Sequence, residues 1–530
     1  MNLTDNQKGS QKKSLFRSSS IVSAMTMSSR VLGLVRDICF ARFIGAQAGA
    51  DAFYVAFKVP NFFRRLFAEG AFAQAFVPVL SEYRNNGSHK AVRLLIDNIC
   101  GVLGSVLLVF TVLAIVGSPV VATLFAPGFT ADKEKFTLAS ELLKLTFPYL
   151  FLISMTGFAG AILNSYDRFA IPALTPIWLN VCLIVSAVFV APYFDQPVYA
   201  LAWGVLVAGI VQLLFQLPFL ARLQLMPRPK LNWRHEGVTK VLMLMAPAIF
   251  GVSVSQLNLL LDTVLASLLP TGSVSWLYYS DRLSELPLGV FGVAIATVIL
   301  PSLSRLHAGE NPKTFSITLD WAIKMVTLIA LPAAIALFIL ANPILTTLFH
   351  YGKTTAFDIE MSSLSLRAYS LGLLAFMLIK VLAPGYYARQ DMKTPVKIGI
   401  KAMAANMIFN ILLVVPLYYL FNIGHVGLAL ATSLSAFLNA GWLYWGLVKG
   451  EVYQPQPGWR LMFFRMLSAN TLMAIVLVVG LFLLPSWVEQ TVLARIVWLL
   501  ILCLAGAGTY LLALFVTGLR LQHLRLSHKA

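Results

Sequence analysis

"NFFRRLFAEG", residues 61–70, sets Arg64, Arg65 and Glu69 between apolar runs long enough to enter a bilayer. A hydrocarbon core about 30 Å thick takes a helix of about 20 residues. Residues 50–80 therefore read as one span that Pro60 and Gly70 allow to bend or break. The remainder of the chain has the same texture. Of its 530 residues, 58% are hydrophobic and 12% are charged, and its mean hydropathy is +0.79. A soluble domain of this size has no interior large enough for that much apolar surface, so the bilayer is the expected solvent.

Cutting the apolar runs at polar and Pro/Gly breaks gives about fourteen spans. They lie near 20–44, 50–80, 94–118, 138–163, 172–191, 198–221, 240–268, 274–304, 318–341, 362–387, 396–420, 424–447, 462–484 and 492–518. The expected fold class is an all-α polytopic membrane protein. An even count puts both termini on one side. The connections expected outside include "LLPTGS", "FNIGH" and "LPSWVEQ", and the cations there reduce to Lys133, Lys135 and Lys353. Connections on the other side, such as "RLQLMPRPKLNWRHEGVTK" and "ARQDMKTPVKIGIK", are strongly basic. That asymmetry predicts cytoplasmic termini and accounts for the net charge of +18 without nucleic acid. The first 17 residues are polar and basic, with no small-residue cleavage site after a compact apolar region, so no cleaved signal peptide is expected. Cys39, Cys100, Cys182 and Cys503 lie far apart in apolar segments and read as reduced core residues.

A faint repeat runs through the chain. Pro78 in "AFVPVLSEY" and Pro301 in "VILPSLSRL" are 223 apart, as are Pro172 in "YDRFAIP" and Pro395 in "RQDMKTP". "LFAPGFTADK" (124–133) and "LFHYGKTTAFD" (348–358) match at 224. A shared offset predicts two bundles of six helices with the same orientation, followed by two extra helices. Parallel repeats of this kind occur in transporters that rock one half against the other. The expected parts are a polar tail (1–17), a first lobe (18–223), a basic cytoplasmic linker (224–237), a second lobe (238–448), and the final helix pair with its tail (449–530).

A charge at a helix centre costs about 2.5–3.5 kcal/mol on insertion scales. Helices 1 and 2 carry Arg30, Arg36, Arg42, Lys58, Arg64 and Arg65 against Asp37, Asp51 and Glu69. Asp51, Lys58 and Arg65 are seven apart and should share a face, Arg65 and Glu69 can pair at i, i+4, and Arg30 and Asp37 share a face of helix 1. In helix 8, "DRLSE" places Asp281 and Glu285 one turn apart, with Arg282 in reach of Glu285. Structural pairing is the expected role of Asp262, Arg367 and Lys380, and Arg42 can snorkel to the interface. The surplus on helices 1 and 2 needs a counter-anion, and arginine's planar fork suits phosphate oxygens. A phosphate-bearing lipid satisfies both the cations and the membrane.

Catalytic chemistry is missing. The seven histidines fall in expected loops or the tail, and there is no HExxH or CxxC. "GKT" at 352–354 lacks the first Gly of a phosphate loop, since position 347 is Thr347. No metal, cofactor or enzymatic activity is expected.

"SSRVLGLVRD" (28–37), "DAFYVAFKVPNFFRRLFAEGAFAQAFVP" (51–78), "GSVSWLYYSDRLSELPLGVFGVA" (272–294) and "RQDMKTPVKI" (389–398) resemble the MurJ family, formerly MviN, from about residue 18 to the C-terminus. These are bacterial lipid II flippases of the multidrug/oligosaccharidyl-lipid/polysaccharide exporter superfamily. The resemblance implies fourteen helices, two six-helix lobes forming a V around a cationic cavity, and a groove on helices 13 and 14 for a polyprenyl tail. It implies that lipid II, the undecaprenyl-diphosphate-linked peptidoglycan precursor, moves from the inner to the outer leaflet by alternating access, in the inner membrane of a Gram-negative cell. The family's cavity residues match Ser29, Arg30, Arg36, Asp51, Arg64, Arg65 and Glu69, with Ser275, Asp281, Arg282 and Glu285 in the second lobe. The expected substrate contacts are Ser29, Arg30, Arg36, Arg64, Arg65, Ser275 and Arg282. The expected gate or ion-pair residues are Asp37, Asp51, Glu69, Asp281 and Glu285. The rival readings are a polysaccharide-repeat lipid flippase of the same superfamily, and a non-transporting scaffold of the cell-wall machinery that needs no unpaired arginines. A drug-cation antiporter is disfavoured, because it would want an acidic cavity.

Overall fold

The computed structural model describes residues 5–66, 72–309 and 311–520, with side chains from Ala24 onward. Among the described residues there is no strand. The chain forms two compact units, Met1–Gly272 and Ser273–Ala530.

The first unit contains α1 (Asp5–Phe43), α2 (Ala48–Phe63), α3 (Phe72–Asn86), α4 (His89–Val116), α5 (Ser118–Phe125), α6 (Lys133–Thr146), α7 (Pro148–Ser165), α8 (Ala170–Val185), α9 (Pro197–Arg222) and α10 (Glu236–Ser267). The second contains α11 (Ser273–Pro287), α12 (Val293–Ala308), α13 (Pro312–Ile339), α14 (Ala341–Phe349), α15 (Ala356–Tyr387), α16 (Lys393–Phe421), α17 (Gly424–Lys449), α18 (Trp459–Leu483) and α19 (Val492–Val516). The expected repeat boundary at 224–237 precedes α10. By packing, α10 belongs to the first unit, lying against α3 and α4.

Eleven stretches among the described residues are long and apolar enough to cross a membrane. They coincide with the expected spans except the first, second and seventh. Those three regions are occupied by α1, by α2 with α3, and by α10. The first two carry the concentrated charges, and α2 by itself spans 16 residues.

The helices turn their oil outward. On α4, Leu108, Val109, Leu113 and Val116 are exposed, while Leu95, Ile96, Ile99 and Val102 pack with Phe76, Phe158 and Leu220 in the core of the first unit. In lipid no hydrophobic force drives such helices together, so small residues and hydrogen bonds must do it. Gly372 on α15 illustrates the point. A Cβ there would lie 2.6 Å from Ser433 Oγ of α17, and that hydroxyl donates to the Ala368 carbonyl at 2.8 Å. The linker before α18 is fixed by a buried acid. Asp320 Oδ1 accepts from Tyr453 Oη at 2.7 Å, Trp459 Nε1 at 2.8 Å and the Gln456 amide at 3.2 Å, and its other oxygen meets Lys324 Nζ at 2.7 Å.

Close helix approach makes a specific forecast. Gly372→Ala should destabilise the detergent-solubilised protein by about 1–3 kcal/mol through overpacking, read as a lower melting temperature. Gly441→Ala, where an added Cβ meets nothing within 4 Å, should not lower it.

Candidate functional site

The charges of α1 are bound from both sides of their sequence position. Arg36 is only 4% exposed. Its Nε and Nη2 donate to Asp37 Oδ1 at 2.9 and 2.7 Å, and its Nη1 donates to Asn180 Oδ1 of α8 at 3.0 Å. Asn180 turns its amide nitrogen to the Ser29 carbonyl at 3.0 Å. One asparagine thus ties two points of α1, two turns apart, to α8. The expected Arg30–Asp37 face yields to this neighbour pairing. Arg30 stays half-buried on the wall of a cavity of about 440 Å³, with Thr26, Ser29, Asn164, Phe169 and Pro172. It makes no ion pair among the described residues. The cavity is therefore lined by a guanidinium, hydroxyls and an amide against proline and phenylalanine.

The acid of α2 has a distant partner. Asp51, 1% exposed, receives Lys135 Nζ at 2.9 Å and the Gly272 amide at 2.8 Å through Oδ2. Lys135, 6% exposed, also donates to Thr271 Oγ1 at 3.3 Å and lies 4.3 Å from the Phe129 ring centroid. The N-cap of α6 explains this placement: Asp132 Oδ1 accepts from the amides of Glu134 and Lys135, which starts the helix and turns Lys135 inward. Sequence reading puts Lys135 among the outer-loop cations. Its pair is 84 residues away, and no local spacing signals it.

Pro60 lies inside α2 and leaves the Ala56 carbonyl without its helical donor. Thr146 Oγ1 of α6 supplies one at 2.8 Å. One turn on, Asn61 Oδ1 accepts from Arg64 Nε at 3.2 Å. Arg64 is half-buried, while Arg65 and Lys58 are exposed. Along the face expected from the spacing of Asp51, Lys58 and Arg65, Asp51 is buried against Lys135 while the other two are exposed. Glu69 lies outside the described residues.

In the second unit, Ser275 is buried on α11. Trp276 Nε1 donates to Asp358 Oδ1 at 2.9 Å and Ser280 Oγ to the Ser362 carbonyl at 2.6 Å, fastening α11 to α15. Arg282 lies 3.6 Å from Glu285, the i, i+3 pair expected from "DRLSE", and 5.3 Å from the Tyr278 ring centroid. Asp281 is half-buried. Of the more distant charges, Arg367 on α15 is half-buried and 6.0 Å from the Phe338 ring centroid, Lys380 is exposed, and Asp262 on α10 is half-buried. No group of three or more His, Cys, Asp or Glu that could hold a metal occurs among the described residues.

These features describe a polytopic all-helical membrane protein with a polar cavity that has Arg30 on its wall. The family model described as "Lipid II flippase MurJ" matches residues 40–499. The chain is 49% identical to the probable lipid II flippase MurJ of Haemophilus influenzae over 513 residues, covering 94% of this chain and 99% of the relative. It is 46% identical to the lipid II flippase MurJ of Burkholderia cenocepacia over 464 residues, covering 87% and 89%. A solved lipid II flippase MurJ in an inward closed conformation superposes with a TM-score of 0.78 at 27% identity, covering 93% of this chain and 97% of the other. An inward-facing multidrug-resistance transporter of the MATE family superposes at 0.67 with 14% identity, covering 82% and 98%, and shares the fold. The chain belongs to the lipid II flippase MurJ family, and it is a transporter rather than an enzyme.

The Asp51–Lys135 pair yields a stability test. Lys135→Met leaves a buried carboxylate uncompensated and should cost about 3–5 kcal/mol. Adding Asp51→Asn should recover most of that loss, because the Gly272 amide keeps an acceptor. Thermal unfolding of the single and double variants checks it.

Proposed function

We propose that the chain carries lipid II across the bacterial inner membrane by alternating access, with Arg30 as the first cation to meet the diphosphate. One observation supports this most: Arg30 sits on the cavity wall with no ion pair among the described residues. A guanidinium at membrane depth without an acid calls for an anionic ligand, and its fork suits two phosphate oxygens. Ser29 and Thr26 offer hydroxyls on the same wall.

The remaining roles follow from what each side chain already holds. Arg36 is committed to Asp37 and Asn180, so its part changes from substrate contact to bracing α1. Arg282, which lies 3.6 Å from Glu285 and reaches the Tyr278 hydroxyl at 3.4 Å, supplies a second cation in the course of the cycle by exchanging these partners. Ser275, Arg64 and Arg65 contact the substrate later in its path. Asp51, Asp281 and Glu69 are gate acids that exchange partners. Both termini face the cytoplasm, as do the basic connections. The two six-helix repeats move against one another, and α18 and α19 carry the polyprenyl tail. Enzymes that build and polymerise lipid II are the neighbours such a carrier serves. An anion exported toward a positive exterior gains about 2.3 kcal/mol per charge per 100 mV.

Complementation tests the reading. In bacteria depleted of their own lipid II flippase, the native protein should sustain growth. Arg30→Ala at equal membrane level should not, and Arg30→Lys should rescue poorly, because a point charge lacks the fork. Lysis with the native protein present in the membrane would turn the assignment toward a polysaccharide-repeat carrier. Normal growth with Arg30→Ala would remove Arg30 from the substrate path. In vesicles, collapsing the membrane potential should slow lipid II export, measured by its exposure to an external probe.

A further inference from the structure

A second cavity lies far along the chain from Arg30's. It holds about 240 Å³ and is lined by α4 and α10, from Ile99 to Phe110 on one side and from Val238 to Ile249 on the other, with Phe72 of α3. Twelve residues of helix, eleven rises of 1.5 Å, make a groove about 16 Å long. Its lining is apolar, and it opens at the surface, where Val106 is 47% and Leu242 42% exposed. In a membrane such a groove is filled by hydrocarbon.

One end of the groove is basic. The 224–237 linker is fastened to α4 there. The Asp97 carboxylate accepts the Arg228 amide at 2.8 Å and meets Lys230 Nζ at 3.4 Å, and the Asp97 carbonyl accepts the Lys230 amide at 3.0 Å. Gly101 allows this contact, since a Cβ there would fall 2.2 Å from the Lys230 carbonyl oxygen. Ile99 and Val102, on either side of Gly101, line the groove. The fastening therefore brings Lys230 to the groove's end. Arg93, one turn before Asp97 on the same face, is half-buried and makes no ion pair among the described residues. Across the mouth, Lys240 lies in the helical turn that contributes Val238 and is paired with Glu82 at 2.5 Å. Leu231 and Trp233 of the linker are exposed beside Arg234, the composition of an interfacial anchor.

We propose that the first unit binds one anionic glycerophospholipid at this place, an acyl chain in the α4–α10 groove and its phosphate on Lys230 and Arg93. Charge complementarity selects the occupant: a zwitterionic lipid brings no net charge to Arg93 and the half-exposed Lys230, and a hydrophobic helix of another protein leaves Arg93 without an anion. The site is separate from the substrate cavity. It rests on the membrane reading and not on the identity of the transported lipid.

The full chain would be placed in phosphatidylcholine nanodiscs holding a few per cent of phosphatidylglycerol with a photoreactive group on the acyl chain. Labelled peptides would then be mapped. Label should fall in 99–110 and 238–249. Each cation neutralised, Lys230→Gln and then Arg93→Gln, should lower it about fivefold. Val106→Trp, a substitution at an exposed position, should block it by filling the groove. Lys353→Gln, in the loop between α14 and α15, should change nothing. Equal labelling by the phosphatidylcholine analogue, label on other helices, or a Val106→Cys protein that crosslinks to another polypeptide instead would each overturn the proposal.

Discussion

A guanidinium inside a bilayer must be given an anion or a water-filled space, and the first unit is arranged around that requirement. Six cations and three acids occur between Arg30 and Glu69 of the sequence. The protein answers part of the demand from outside that stretch. Asn180 braces Arg36, and Lys135 takes Asp51. Once Asp37 and Asp51 have partners, Arg30 remains on a cavity wall with hydroxyls beside it. Among the described residues Asp37 and Asp51 are held by other partners, and the proposed role of Arg30 rests on its having no ion pair there.

The same economy of satisfied groups shapes the helices themselves. A proline at position 60 would be costly in lipid, because an orphaned carbonyl there has no water to turn to. Thr146 answers the Ala56 carbonyl across the α2–α6 contact. Bending α2 and packing it on α6 are therefore one event. The Asp51–Lys135 pair joins the same two helices one end further along. Between them, a hydroxyl and an ion pair hold a charged helix in place that apolar packing alone would not orient. In the second unit the corresponding tasks fall to Trp276 with Asp358 and to Ser433 with Ala368.

The eleven strongly apolar spans were plain from hydropathy, and so was the concentration of charge on α1 and α2, because both are properties of contiguous sequence. The Arg282–Glu285 pair was legible for the same reason, being one helical turn long. What could not be read were partners separated by whole helices. Asn180 lies 144 residues from Arg36, and Lys135 lies 84 from Asp51. Asn180 sits in an apolar run where an amide carries no pattern. Lys135 follows an Asp cap that reads as any helix start. Seven-residue spacing predicts one face for Asp51, Lys58 and Arg65 but says nothing of depth along it, where Asp51 is buried and the other two are exposed. The fastening of the basic linker to Asp97 was equally hidden, since positive-inside counting treats such a loop as free charge.

The central claim is that Arg30 is held for a diphosphate, and equilibrium binding to the purified full-length protein tests it most directly. Lipid II affinity would be compared for the native protein and Arg30→Gln, with the monophosphate of the same polyprenyl lipid as reference. The account predicts that Arg30→Gln weakens lipid II binding by about tenfold or more, the worth of a charge-assisted hydrogen bond, and narrows the preference for diphosphate over monophosphate. Unchanged affinity and unchanged preference in a correctly folded Arg30→Gln protein would contradict it.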